Sequence, residues 1–561
     1  MTGIRTERVM GIETEFGIVH ADPAERERRG AASSVLLSHL VVGAYALLED
    51  SEGERGTRVR WDYGDETPLR DARGFELQRA AAHPSQLTDA VPDAHGAHVP
   101  SIDLDAPLQA PEIAPDGTDA DILQWAVHRS IGNAVLRNGA RWYVDHAHPE
   151  YSGPEVTTAR DGVIWHRAGE RIARQAMDLL EQAGEVPAAV LYKNNTDSKG
   201  SSYGTHENYL LDRAVPFDRV VEALTPFLVT RQILVGAGRV GLGTRSHETG
   251  YQISARADFF EEEVGLETTM NRPIINTRDE PHADASRHRR LHVILGDATT
   301  LEEPTYLALG MTSLVLAALE HEHCTGTRVL PDLALASPVA ALREISHDPT
   351  LQTRVPLRDG TTATALEVQR RYFEAITGIA DLDDAETADV LQRWRELLDL
   401  LAQDPLATQG RLEWTTKQAL LERYADRHGL TPEDARLAAI DLQWSDLRAS
   451  KGLAQKMINA GRTRRVVTDQ EIDQAVTTPP ATTRAHLRGS LIGAHRHAVA
   501  SAGWDVLTLG ADAKRVRLRL ADPRAGSAHW CTTHGIDPTE PLPEILHALE
   551  RATTTDVKER S

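Results

Sequence analysis

The 561-residue chain is poor in cysteine, in positive charge relative to negative charge, and in long apolar runs. Its only cysteines, Cys324 and Cys531, exclude a disulfide framework and a cysteine-rich zinc site, and they fit a reducing compartment. No stretch approaches the roughly 18 to 20 apolar residues of a membrane helix, and the N-terminus lacks the apolar segment of a signal peptide. We therefore expect a cytoplasmic protein that does not span a membrane.

The charge balance limits the classes of partner. The chain has 61 basic and 83 acidic residues, which gives a formal net charge of −22. A surface of this sign repels nucleic acids and anionic membranes, so neither is an expected partner. Hydrophobic residues make up 41% and charged residues 26%, as in ordinary soluble globular proteins. The length suggests two to four domains.

Familiar catalytic strings are absent or stand in the wrong context. Neither H-E-x-x-H nor the Walker A string occurs, which disfavours zincin and P-loop chemistry. Residues 236–241 match the dinucleotide pattern G-x-G-x-x-G, but residues 242–250 cannot form the apolar helix that this pattern needs. Residues 200–204 match G-x-S-x-G, yet a polar loop precedes them and a strand follows, unlike a nucleophile elbow.

Two predicted strands, residues 10–18 and 141–151, carry the strongest positive signal. Alternate side chains of a strand share a face, so each segment places ionisable groups together and apolar groups behind them. On these faces lie Glu13 and Glu15 in the first segment and Arg141, Tyr143 and Asp145 in the second, and Glu150 follows in the same second segment. Carboxylates crowded on one sheet face repel each other unless a cation lies among them. The four carboxylates therefore look like oxygen ligands for a hard cation such as Mg²⁺. A solvated acidic face is the alternative.

Other candidates lie further along the chain. Arg256, Arg278 and Arg290 offer guanidinium groups, which suit phosphate or carboxylate recognition. For residues 287–290 a charged surface helix is the alternative. His206 shares a predicted polar strand face with Asn208 and is a candidate metal ligand; three further histidines offer the same chemistry, namely His146, His148 and His292.

The spacing of apolar residues predicts a mixed organisation. Strands are expected at residues 188–192, 206–211, 504–509 and 515–520. Helices are expected at residues 32–48, 120–137, 163–182, 220–234, 306–320, 365–376, 388–401, 417–427 and 542–551. Residues 51–86 are charged and rich in turns, and residues 87–118, rich in Pro and Asp, are typical of a long loop. The best linker candidate is residues 477–483.

Several strings resemble the Pup ligase and depupylase family, which is related to glutamine synthetases and carboxylate–amine ligases. They are MGIETEFG, RWYVDHAHPEYS, LYKNNTDSKGSSYGTHENY, NTRDEPHADASRHRRLHVILGD and DLQWSDLRASKGL. The similarity runs from Val9 to about residue 520. It implies an α+β fold, with a glutamine-synthetase-like curved antiparallel sheet backed by helices over residues 1–480. The loop at about 51–86 and the segment 87–118 are inserted in this domain, and a small α/β domain follows at 481–561.

The family has a ligase branch and a deamidase and depupylase branch. The insert at 61–74 and the short spacing between Asp145 and Glu150 favour the second branch. The resemblance then implies cleavage of the isopeptide between Pup and lysines and deamidation of the C-terminal Gln of Pup. ATP and Mg²⁺ are the implied cofactors, with the nucleotide bound rather than consumed, and the bacterial proteasome is an indirect partner. An ATP-consuming ligase of the same fold is one alternative. A nucleotide-binding regulator with a degenerate site is another, and the presence of all four site residues disfavours it; these are Glu13, Tyr143, Asp145 and Glu150.

The resemblance also assigns roles to residues. Asp145 matches the catalytic aspartate, which either attacks the carbonyl itself or activates a water molecule. The metal-site positions are Glu13, Tyr143, Glu150, His206 and His292. The positions that contact the nucleotide are Arg141, Arg256, Arg278 and, in the C-terminal domain, Trp504. Pup is acidic, so its docking groove must be locally basic, and the arginine-rich segments are the candidates.

Overall fold

A computed structural model describes most of the chain. The described residues are 3–29, 32–51, 59–64, 66–78, 132–183, 188–510 and 515–559. The predicted loop at 87–118 and residues 120–131 of the predicted helix lie outside these ranges.

The strands of the described residues are numbered in chain order. They are β1 (Met10–Glu15), β2 (Gly17–His20), β3 (Arg60–Trp61), β4 (Asn133–Val135), β5 (Arg141–Asp145), β6 (His148–Ser152), β7 (Ala189–Tyr192), β8 (Thr205–Asp212), β9 (Arg239–Leu242), β10 (Glu248–Gln252), β11 (Phe260–Gly265), β12 (Arg272–Asn276), β13 (His288–Val293), β14 (Arg354–Pro356), β15 (Thr362–Thr364), β16 (Val499–Ala502), β17 (Val506–Leu509) and β18 (Val516–Arg519).

The α-helices are numbered in the same way. They are α1 (Pro23–Arg29), α2 (Ala32–Ser51), α3 (Ala159–Ala183), α4 (Phe217–Val235), α5 (Glu302–Thr325), α6 (Pro338–Ser346), α7 (Ala365–Thr377), α8 (Ala385–Gln403), α9 (Glu413–His428), α10 (Ala435–Trp444), α11 (Leu453–Asn459), α12 (Asp469–Ala475), α13 (Ala485–His495), α14 (Ala528–Thr533) and α15 (Leu542–Glu559). Among the helices described, none is both long enough and apolar enough to cross a membrane.

The largest sheet has six antiparallel strands in the order β13-β8-β1-β6-β5-β4. Along β1 the odd-numbered Glu13 and Glu15 are half-buried on one face, while Ile12 and Thr14 are buried on the other. This alternation is the two-residue period expected from the sequence.

Helices cover the back of this sheet. α2 packs against β5 and β6, and α3 packs against β1. Trp142, behind the acidic face of β5, is fully buried and lies edge to face with Phe16 at 5.9 Å between ring centroids. A large hydrophobic cluster contains buried side chains between Ile4 and Val476. The predicted α+β fold, with an antiparallel sheet backed by helices, is therefore confirmed.

A second, four-stranded sheet has the order β18-β17-β16-β3. The predicted strand pair near residues 504–520 is confirmed as β17 and β18. β3 comes from the 51–86 region and pairs in parallel with β16. A second hydrophobic cluster joins Val59, Trp61 and Val135 to residues between Leu487 and Ala552. The insert thus shares a core with the C-terminal region.

One predicted element is wrong over its last residues. Within the range 120–137 expected to be helical, residues 133–135 form strand β4, in which Ala134 pairs with Trp142 and is buried. Pairing at the sheet edge overrides the local helical spacing. The alternative of a surface helix at 287–290 is also wrong, because residues 288–290 belong to β13.

Candidate active site

The front face of the large sheet carries a cluster that we call the histidine group, formed by Glu13, His206 and His292. One ligand atom from each residue lies within 4.8 Å of the others. The Glu13 carboxylate is 3.5 Å from His206 Nδ1 and 4.0 Å from His292 Nε2. The strand register explains why these three side chains lie close together. Glu13 of β1 pairs with His206 of β8. His292 of β13 pairs with Asn208, which lies two residues from His206 on β8.

Two histidines and an arginine around Glu13 favour the ionised form of its carboxylate. Burial alone would raise its pKa, but a hydrogen bond from His206 and the charges of His292, His206 and Arg290 lower it. Asn208 also donates a hydrogen bond to Glu13 at 2.8 Å. Burial lowers the pKa of His292 well below its usual value. Both of its ring nitrogens are buried, with no hydrogen-bond partner in the described part of the chain. A neutral imidazole of this kind is suited to metal ligation.

A second cluster, the acidic group, is formed by Glu15, Asp145 and Glu150. Its ligand atoms also lie within 4.8 Å of one another. Glu15 faces Glu150 across the β1–β6 pair, and Tyr143 faces Glu150 across the β5–β6 pair. Burial and the charges of Asp145, Glu13 and Glu15 raise the pKa of Glu150 well above its usual value. The main causes that act on Glu150 are therefore burial and other carboxylates.

Asp145 ends β5 and is partly accessible to solvent. Its side chain is 39% exposed, and His146 Nδ1 lies 3.0 Å from its carboxylate. The hydrogen bond and charge of Asp145 raise the pKa of His146 to about 9. Burial raises and His146 lowers the pKa of Asp145, with a net lowering. His146 has a φ of 53°, an uncommon backbone conformation for a residue other than glycine. Asp145 is thus an accessible carboxylate held in its ionised form.

Arg141 lies between aromatic rings beside the acidic group. Its guanidinium carbon is 4.1 Å from the centroid of Trp61 and 3.8 Å from that of Tyr143. Its Nη2 donates to the Tyr63 hydroxyl at 3.0 Å. Two residues of the insert therefore fix this arginine. Burial, followed by the charge of Glu150, raises the pKa of Tyr143 well above its usual value, so the phenol stays protonated.

Arg278 and Arg290 approach from the β12–β13 segment. Arg290 lies 3.8 Å from Glu13 and 3.6 Å from Glu280. The Nε of Arg278 is buried and has no hydrogen-bond partner in the part of the structure described. Burial lowers the pKa of Arg278, with Glu280 acting in the opposite direction. Glu280 in turn accepts a hydrogen bond from the Thr67 backbone of the insert at 2.5 Å.

Trp504 lies at the other end of the site. It lines a groove together with Glu13, His282, Arg290 and Arg484. Its ring meets Trp61 of the insert at 5.1 Å between centroids. Residues of β1 and β8 also line this groove, so an aromatic ring and two arginines lie beside the histidine group.

Arg256 is separate from the other predicted arginines. Its Nη1 donates to the carbonyls of Ile294 and Gly296, both at 2.7 Å, and its Nε donates to Ser202 at 3.1 Å. The structure thus brings Arg141, Arg278 and Trp504 around the two groups, and places Arg256 on the Glu15 side.

Several residues of the site were not predicted from the sequence. They are Glu280, His282, Arg272 and Arg484. Glu280 and His282 lie in a segment dense in ionisable residues, which was a usable signal. Arg272 and Arg484 carry no periodic signal and reach the site only through the tertiary fold.

Comparison with known proteins identifies the family. Residues 8–508 match the family described as Pup-ligase protein. The chain belongs to this family. It is 44% identical to the Pup deamidase/depupylase of Mycolicibacterium smegmatis over 529 residues, which cover 93% of this chain and 95% of the relative. It is also 44% identical to the Pup–protein ligase of Acidimicrobium ferrooxidans over 403 residues, covering 70% of this chain and 87% of the relative.

Two solved structures agree with this assignment. A complex between Pup and its ligase PafA aligns with a TM-score of 0.71 and 30% identity, covering 98% of this chain and 93% of that one. PafA in complex with ADP aligns with a TM-score of 0.66 and 34% identity, covering 80% of this chain and 97% of that one. The family resemblance expected from the sequence motifs is confirmed.

Proposed function

We propose that this protein is a hydrolase that releases Pup from the lysines of modified proteins and deamidates the C-terminal Gln of Pup, with ATP and Mg²⁺ as bound cofactors. The observation that carries this proposal is the extent of similarity. At the same 44% identity, the depupylase relative covers 93% of the chain and the ligase relative 70%. In these two sequence alignments the chain therefore matches the depupylase over more of its length than the ligase.

The residues present fit the proposed metal. The acidic group supplies three carboxylates, the ligand type that Mg²⁺ favours. The histidine group supplies one carboxylate and two imidazoles, and imidazole is also a good ligand for transition metals. When bound, Mg²⁺ would neutralise the crowded carboxylates and polarise phosphate oxygens. Tyr143 stays protonated beside Glu150 and is proposed as a hydrogen-bonding member of this site.

Nucleotide binding is proposed around the arginines and Trp504. Arg141 and Arg278 are the proposed contacts to phosphate, since guanidinium forms paired hydrogen bonds with phosphate oxygens. Arg256, which the resemblance also assigns to the nucleotide, lies instead on the Glu15 side, where it contacts Ser202, Ile294 and Gly296. Trp504 offers an aromatic face to the base, and the groove beside it ends at Glu13. The similarity to a ligase solved with ADP supports this placement.

Asp145 is the proposed catalytic residue. Its carboxylate is accessible and ionised, so it can attack the amide carbonyl or accept a proton from an attacking water. His146 keeps this carboxylate ionised through its contact and its charge. If Asp145 attacks, the C–N bond breaks as an anhydride between Asp145 and Pup forms, and water then hydrolyses this anhydride and frees Asp145. If Asp145 activates a water molecule, the water oxygen adds to the carbonyl directly and the C–N bond breaks. In both routes the nitrogen leaves protonated as an amine or ammonia, and Pup keeps a γ-carboxylate.

The second candidate is a Pup–protein ligase of the same fold, and the equal identity to a ligase favours it. One assay separates the two. The protein is incubated with a pupylated substrate, ATP and Mg²⁺, and both Pup release and nucleotide turnover are followed. The proposal expects release in excess of nucleotide consumed. A ligase would consume nucleotide while it joins free Pup to lysines, and that result would overturn the proposal.

A further inference from the structure

Two arginines, Arg256 and Arg272, converge on Ser202 beside the acidic group. Arg256 Nε donates to the Ser202 hydroxyl at 3.1 Å, and Arg272 Nη2 donates to the Ser202 carbonyl at 2.6 Å. Their remaining bonds in the described part of the chain are to backbone carbonyls. Within the same ranges, neither guanidinium has a carboxylate at ion-pair distance. We call these two residues the arginine pair.

The arginine pair lies on the Asp145 side of the site. The charge of Glu15 acts on both arginines, and the charge of Arg272 acts on His146, which contacts Asp145. Gly204 joins the two features. Its backbone N–H donates to Glu15 at 2.9 Å, and a Cβ at this position would lie 2.9 Å from Arg256 Nη1. A side chain at position 204 would therefore collide with the Arg256 guanidinium, which packs directly against the backbone of Gly204.

The carboxylates whose charges act on the arginine pair, among them Glu15, lie beyond ion-pair distance within the described residues. Two guanidinium groups placed in this way are complementary to an anion. Burial and the charge of Arg272 lower the pKa of Arg256 to about 10, which still leaves it protonated at neutral pH. Guanidinium groups bind carboxylates with paired, charge-assisted hydrogen bonds. The groove that contains Trp504 runs along residues 10–13 of β1, whereas the arginine pair lies past Glu15. An anion bound by the arginine pair would therefore be part of the protein substrate and not of the nucleotide.

The proposed reaction supplies such an anion. When a γ-amide of a C-terminal residue is cleaved, the main-chain α-carboxylate of that residue remains free. Four carbon–carbon bonds, about 5 Å when extended, separate this α-carboxylate from the reacting carbonyl carbon. An anion site next to Asp145 and the acidic group is at a suitable place for it.

We propose that Arg272, together with Arg256, binds the free α-carboxylate of the C-terminal residue of Pup and makes the enzyme specific for a chain end. This inference rests on the proposed function and adds a specificity-determining residue to it. An internal Gln or Glu has no such carboxylate, so it would lack this contact.

The test uses two forms of one substrate. Pup is joined through the γ-carboxyl of its last residue to a fluorescent lysine peptide, and the α-carboxyl is either free or amidated. Release of the peptide is measured for the full-length wild type, Arg272→Met, Arg272→Lys and, as a matched loss of charge, Arg370→Met on the exposed side of α7, where Arg370 pairs with Asp399.

The wild type should cleave the free acid about 10- to 100-fold more efficiently than the amide, as expected for a charged hydrogen-bonded contact. Arg272→Met should lose that factor for the free acid and stay within about twofold of wild type for the amide. Arg272→Lys should recover part of the loss. Arg370→Met should match the wild type on both forms.

A binding arm separates this inference from the proposed function. Affinities of Pup with a free or an amidated end are measured on Asp145→Asn, with and without Arg272→Met. If neither form is cleaved by the wild type, the proposed function fails, while a preference for the free acid that Arg272→Met removes still supports the carboxylate site. The carboxylate site would be overturned if Arg272→Met affected the free and the amidated form equally, or if it selectively reduced the affinity for nucleotide.

Discussion

The histidine group and the acidic group stand two residues apart on β1, yet their electrostatics are opposite. At Glu13, the neighbours His206, His292 and Arg290 lower the carboxylate pKa. At Glu150, burial and the neighbouring carboxylates raise it. In the histidine group, side chains of the protein itself therefore favour the ionised form of the Glu13 carboxylate. The acidic group contains an excess of negative charge that an external cation would balance.

The origin of this difference lies in the strands on each side of β1. On one side, β8 and β13 place two histidines opposite Glu13. On the other side, β6 and β5 place Glu150 and Asp145 near Glu15. The same acidic alternation in β1 thus produces a balanced cluster and a charge-rich cluster, because the partners across the sheet differ.

The largest effect is expected for the catalytic member of the acidic group. Asp145→Asn should keep the fold and nucleotide binding but abolish cleavage, because an amide neither attacks a carbonyl nor accepts a proton well. Steady-state release of Pup measures this. Retention of more than about a tenth of the wild-type rate would rule out the role, since such groups typically contribute about 10²- to 10⁴-fold.

A smaller but still large effect is expected on the metal requirement. Glu150→Gln and Glu13→Gln each remove a charged oxygen ligand, so each should raise the Mg²⁺ concentration needed for nucleotide binding. The rise should reach at least the roughly 10- to 100-fold that changes around metal ligands cause. Calorimetry of ATP binding at several Mg²⁺ concentrations measures it. An unchanged dependence in both variants would remove these residues from the site.

The insert gives a third prediction. Removal of residues 62–76 keeps Trp61 and β3 but deletes Tyr63, which contacts Arg141, and Thr67, which contacts Glu280. The rate of depupylation or of ATP hydrolysis should change. The change should be smaller than the ~10²-fold loss of rate that a 1 Å displacement of reacting groups causes. Asp145 should still be required. Identical depupylation and ATP hydrolysis with and without these residues would show that the insert does not gate the site.

The sequence was sufficient for the local part of this site. The two-residue period predicted the faces of β1, β5 and β8, and therefore the orientation of Glu13, Asp145 and His206. It did not predict the separation into two groups, which depends on the register between strands far apart in the chain. Arg272 is held by Ser202, which lies 70 positions away in the chain. No local pattern encodes such a contact. At β4, burial at the sheet edge overrode a helical spacing.

Thermal stability of metal-free protein tests the contrast between the two groups most directly. A raised folded-state pKa means that stability is lost as the pH rises through it, so the buried Glu150 carboxyl lowers the stability of the metal-free protein at pH 7. A lowered pKa has the opposite sign, so ionised Glu13 is stabilising at pH 7.

The measurement is differential scanning calorimetry at pH 7, in chelator and then in Mg²⁺. In chelator, Glu150→Gln should raise the melting temperature by about 1 °C or more and Glu13→Gln should lower it. Mg²⁺ should stabilise the wild type more than it stabilises Glu150→Gln. If Glu150→Gln instead lowers the metal-free melting temperature and responds to Mg²⁺ as the wild type does, the acidic group does not need a cation, and the account is contradicted.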